Sequence, residues 1–175
     1  MRAGARAWAR GLVLLGALGT APAAGAGEVF LTAGVHGLLL EIGPAWGAGL
    51  DVDLSAGWAP IPELVLGLEL GLVVPLPTGE DTRPADVGLR AAPVVGLRFG
   101  QDTDWGFVRA GLAFHGLIFE GSLTPLMSLV AGAGYAVAPE ELPFFFGFEL
   151  VGEIELVGAT RQRSLGLGAF LGFRL

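Results

Sequence analysis

The sequence predicts an all-β fold, an eight-stranded antiparallel up-and-down barrel that crosses a membrane, preceded by a cleavable signal peptide. Three observations predict it. The chain is 53% hydrophobic and 15% charged, with a mean hydropathy of +0.65, whereas a soluble domain carries roughly 25% charged residues. Its apolar residues recur with a period of two, the strand period. Its 30 glycines and scattered charges interrupt every run that could form a spanning helix of ~20 apolar residues, and glycine inside a helix costs roughly 1 kcal/mol relative to alanine.

Residues 1–26 are expected to be a signal peptide. Arg2, Arg6 and Arg10 make a positive start, Gly11 to Thr20 is an uncharged apolar segment, and Ala24-Gly25-Ala26 fits a small-x-small cleavage site. Ala21-Pro22-Ala23 is an earlier candidate. Cleavage removes three arginines and takes the formal charge from −7 to −10. An acidic balance makes nucleic acid an unsuitable partner. With no cysteine, disulfides and thiolate metal sites are excluded.

The barrel is expected over residues 27–175. A first strand, about Glu28–Glu41, has a parity that blurs at Leu38-Leu39-Leu40. Trp46–Trp58 alternates cleanly: Leu50, Val52 and Leu54 share a face, Asp51 and Asp53 the other. Glu63–Val74 sets Leu66, Leu68 and Leu70 against Glu63 and Glu69. Val87–Phe99 sets Leu89, Val95 and Leu97 against Arg90 and Arg98. Trp105–Phe119 and Leu123–Val137 are less regular. Phe144–Leu156 sets Phe146, Phe148 and Leu150 against Glu149, Glu153 and Glu155, and Ser164–Leu175 sets Leu167 and Leu171 against glycines and Arg174. Each strand is near or above the ~9–11 residues that cross a tilted bilayer.

The connections alternate. Pro- and Asp-rich turns at Ala59–Pro62, Gly100–Asp104 and Ala138–Pro143 are expected on the periplasmic side, and the longer, more polar Leu76–Asp86 on the outside. An even strand number with short turns on one side and a longer loop on the other is the outer-membrane barrel pattern. Aromatics gather at strand ends. Trp58, Phe99, Trp105, Tyr135, Phe144 and Phe173 fall near the periplasmic rim and Trp46 and Phe119 near the other, as interface anchors do.

On these features the chain from about Glu28 to Leu175 resembles the small eight-stranded outer-membrane barrels, the class of the OmpA transmembrane domain and OmpX. The ending Ala169–Leu175 is similar to the assembly signal of such barrels, although it closes on Leu175 with Phe173 two positions earlier. The resemblance implies a bacterial outer-membrane location, lipid as surroundings, recognition of the C-terminal strand by the barrel-assembly machinery, and a monomer. No periplasmic domain is expected after the last strand.

The inward set under this register is Asp51, Asp53, Glu63, Glu69, Arg90, Arg98, Arg109, Glu149, Glu153, Glu155 and Arg174. It is expected to form a structural network of ion pairs, since buried charges need partners and eight strands leave room only for side chains. Glu63 and Arg98 are expected to pair. The acids outnumber the arginines, which calls for waters or a bound cation. His36 and His115, with Ser122 and Ser128 nearby, are the residues an acyl-modifying barrel enzyme would use, but no tight His-x-Ser pairing stands here. Two isolated histidines lack metal-ligand spacing. No catalysis, metal or cofactor is therefore expected. The expectation is a structural or surface protein of the envelope. Its rivals are a narrow transport barrel of the OmpW kind, for small or apolar molecules, and a lipid-modifying enzyme.

Overall fold

The computed structural model describes residues 27–42, 45–76, 87–119, 122–140, 142–158 and 162–175. The expected signal peptide, and all of the loop Leu76–Asp86 beyond Leu76, lie outside the described residues. Eight strands follow in chain order: β1 Glu28–Ile42, β2 Ala45–Ile61, β3 Leu64–Leu76, β4 Val87–Gln101, β5 Asp104–Phe119, β6 Ser122–Val137, β7 Phe144–Val157 and β8 Gln162–Arg174. Each pairs antiparallel with its sequence neighbour, and β1 pairs with β8, so the sheet is a closed barrel. Closure leaves no edge strand with unpaired backbone groups.

The alternation read from the sequence is the in–out alternation of the strands. Leu50, Val52 and Leu54 of β2 stand outward and exposed while Asp51 and Asp53 are buried inside. Leu66, Leu68, Leu70 and Leu72 of β3 likewise oppose buried Glu69. The Leu38–Leu40 ambiguity resolves without a break in parity. Leu39 is exposed, whereas Leu38 and Leu40 are buried and pack with Val73. This stretch places leucine on both faces, which hides the period.

One end of the barrel carries the start of β1, the end of β8 and the turns between β2 and β3, β4 and β5, and β6 and β7. This terminal end is tightly built. Asp102 and Thr103 join β4 to β5 between the paired Gln101 and Asp104. Gly100 just before them has φ 135°, and a β-carbon there would run into the Asp104 carbonyl. Only glycine takes that backbone without strain. Register shifts lie between Trp58 and Ile61 in β2 and between Met127 and Ser128 in β6, where bulges add local twist.

The lumenal charge layer as a candidate functional site

The lumen is filled in storeys. Nearest the termini, Glu28 on β1 meets Arg98 Nη2 at 2.9 Å and Arg174 Nε at 2.9 Å. These two guanidiniums lie over the Trp105 ring at 5.2 and 5.1 Å from its centroid, a cation–π arrangement. Below them Trp105 and Phe145 pack with Ala136 and Ala138, against Phe30, Phe107 and Phe170. Ring centroids stand 5.3–6.3 Å apart in edge and tilted geometries, the arrangements aromatic quadrupoles favour.

The charge layer is next. Arg90 Nη1 donates to Glu153 Oε1 at 2.5 Å, and its Nη2 lies 3.0 Å from Asp51 and 3.8 Å from Glu69. Arg109 donates through Nε and Nη2 to the two oxygens of Glu149, at 2.8 and 2.9 Å, and through Nη1 to Glu69. The paired bonds to Glu149 match the planar guanidinium fork. His36 Nε2 is 2.8 Å from Glu149 Oε1, and Nδ1 is 3.0 Å from Asp53 Oδ2. His115 Nε2 is 3.0 Å from Glu153 Oε2. Beyond this layer, at the other end, lie Leu38, Leu40, Val73, Leu117 and Leu126.

These bulky side chains fit eight strands because glycines sit opposite them. A β-carbon at Gly168 would strike the His36 ring and one at Gly34 the Asp53 carboxylate, and one at Gly132 would press on the Arg109 side chain. At the aromatic storey Gly57 faces Phe30 and Gly172 faces Phe145 in the same way. Between the two storeys remains a cavity of about 110 Å³, bordered by the Phe rings above and Asp53, Glu69, Arg109 and Glu149 below.

The structure joins Asp51, Asp53, Glu69, Arg90, Arg109, Glu149 and Glu153 in one network. Arg98 and Arg174 belong to the separate terminal cluster. Glu155 points inward from the far end of β7, with no ion pair among the described residues. Glu63 is a correction: its side chain is exposed in the β2–β3 turn, and its carbonyl, not its carboxylate, accepts from Arg98, through the Arg98 backbone N–H. A residue inside a turn no longer follows strand parity. Arg98 turns instead to Glu28 and to the Pro62 carbonyl. Trp105 is the second correction. It is buried in the lumen and is no rim anchor. It shares parity with inward Arg109, so the alternation of β5 contained the signal that its place near a strand end obscured. Trp46, Trp58, Phe99, Tyr135 and Phe173 do stand exposed on the outer surface, with Phe144 half-buried beside Phe173. Glu28, the inward phenylalanines and both histidines are members of the filling that the sequence reading did not assign. His115 too lies in phase with Arg109.

No protein-family model matches the chain, and no curated protein matches it. Solved structures share its fold. Neisserial surface protein A (NspA) superposes with a TM-score of 0.71 at 13% identity, over 84% of this chain and 97% of that one. The N-terminal β-barrel domain of Pseudomonas aeruginosa OprF gives 0.56 at 18%, over 82% and 97%. The outer membrane enzyme PagL gives 0.51 at 17%, over 81% and 97%. The chain therefore has the eight-stranded barrel fold of small outer-membrane proteins.

Proposed function

We propose that the protein is a monomeric outer-membrane barrel with a structural or surface role, whose lumen is plugged by its own side chains and which performs no catalysis. The observation that carries this is its inversion. Charged groups fill the inside, while leucines, valines and phenylalanines stand exposed on the outside of every strand. A water-soluble monomer rarely exposes apolar patches beyond a few hundred Å², whereas a bilayer demands such a belt on a closed barrel. The strands, at 13–17 residues, exceed the ~9–11 needed to cross. Lipid is the natural partner of this face, and export by a signal peptide and assembly through the C-terminal strand belong to the same proposal.

The filling also speaks against the rivals. The aromatic storey and the charge layer lie one behind the other across the lumen, against a transport role. Both histidines face inward and are buried, away from the acyl chains that a lipid-modifying enzyme must reach. Purified protein reconstituted in planar bilayers should show no steady conductance, and lipid substrates incubated with it should stay intact. Stable, uniform channels would instead favour transport, and acyl release that ends with His115→Gln would favour the enzyme.

A further inference from the structure

We propose that His36, Asp51 and Asp53 form a binding site for a divalent transition-metal cation, with Zn2+ as the reference ion, inside the charge layer. One ligand atom from each of the three residues lies within 4.8 Å of the others. His36 pairs with Asp51 across β1 and β2, and Asp53 is the next inward residue along β2, so strand geometry alone brings the three side chains together. All three are more than nine-tenths buried.

The second observation is the state of the polar atoms. His36 Nδ1 and Asp53 Oδ2 approach to 3.0 Å, yet neither forms a hydrogen bond among the described residues, nor does Asp51 Oδ1. A nitrogen and an oxygen at that distance have the separation of two ligands on one ion. Bonds of about 2.0–2.2 Å set neighbouring ligand atoms roughly 3–3.6 Å apart. The other ring nitrogen, Nε2, bonds to Glu149 Oε1 at 2.8 Å. As a donor there, it leaves the lone pair on Nδ1 facing Asp53. A carboxylate that orients a ligating imidazole from behind is the usual outer support of such sites.

Charge points the same way. Five carboxylates (Asp51, Asp53, Glu69, Glu149, Glu153) face only two guanidiniums (Arg90, Arg109), so the carboxylate charges outnumber those of the arginines by three. A divalent cation offsets two of the three. One imidazole nitrogen with two carboxylate oxygens suits Zn2+ and its first-row neighbours, while Ca2+ and Mg2+ favour all-oxygen shells.

The test is to refold the full chain into detergent micelles with Zn2+ or Co2+ present and to titrate the metal-free protein by calorimetry. One Zn2+ per chain should bind, and the Co2+ form should show visible bands of a low-coordinate centre. Glu149→Gln should weaken binding by about 10–100-fold and Asp53→Asn by more. With only two histidines in the chain, 15N-histidine spectra read the site directly in the wild type, so the test does not depend on whether a variant folds. Zn2+ should move one Nδ1 resonance and leave the other ring alone. Absence of saturable binding, both rings or neither responding, or full affinity in Asp53→Asn would each overturn the site and leave His36 as an imidazolium bridging Asp53 and Glu149.

Discussion

The aromatic storey and the charge layer are stacked in one lumen, but their contacts differ in kind. Phe30, Phe107, Phe145 and Phe170 meet through ring edges and faces, and most of the energy of such contacts is graded with buried area, with a smaller part in ring geometry. Arg90, Glu153, Asp51 and His115 meet through specific atoms at 2.5–3.0 Å. Each of these groups depends on a partner of opposite charge or matching hydrogen-bond role. Losing a methylene from the first storey leaves a smaller version of the same packing. Losing a charge from the second leaves its partner buried and alone. Two fillings of similar bulk should therefore differ sharply in how they tolerate change.

The largest effect is expected for Arg90→Ala, which strands Asp51 and Glu153 together. Removing one member of a buried ion pair costs about 3–5 kcal/mol, to be read from denaturant unfolding in lipid vesicles. Arg90→Met, which keeps the bulk and drops the charge, should recover little of it. Full recovery by Met would erase the contrast between the storeys. Next comes the same guanidinium on the wrong face: Leu68→Arg on the outer surface of β3 should cost about 2–4 kcal/mol if the site is near the bilayer midplane. A harmless Leu68→Arg would contradict the membrane face. The smallest effect belongs to the aromatic storey. Phe145→Leu keeps an apolar side chain and should lose only about 1–2 kcal/mol. A loss equal to that of Arg90→Ala would mean that the rings, too, act as specific partners.

The same contrast explains what the sequence made legible. A charge in an alternating strand announces its face, so Asp51, Asp53, Glu69, Arg90 and Glu149 could be assigned inward one by one. Who pairs with whom was less visible, because partners come from strands far apart in sequence: Arg109 meets Glu69 and Glu149, each 40 residues away. An inward phenylalanine, by contrast, looks like an outward one. Phe30 and Phe107 stand in phase with Glu28 and Arg109, but an aromatic side chain does not by itself mark its side, and Phe145 sits in a run of three where either parity reads as apolar. Histidine, apolar in its ring and polar at its nitrogens, marks neither face, so the link that His36 makes between Asp53 and Glu149 is not legible from alternation. Glu63 shows the opposite error, a strand rule extended one residue into a turn.

The glycines opposite the large lumenal groups have a consequence at the seam where β1 meets β8. There the inward residues pair as Thr32 with Gly172, Gly34 with Phe170, His36 with Gly168 and Leu38 with Gly166. Slipping the seam by one residue would turn a strand's faces inside out. Slipping it by two in one direction would put Gly34 against Gly168 and Phe170 against Thr32, and in the other Gly34 against Gly172 and Phe170 against His36. Either way, one level gains a void and another a collision. The two strands that close the ring thus carry a notched key, cut so that it can close at a single setting.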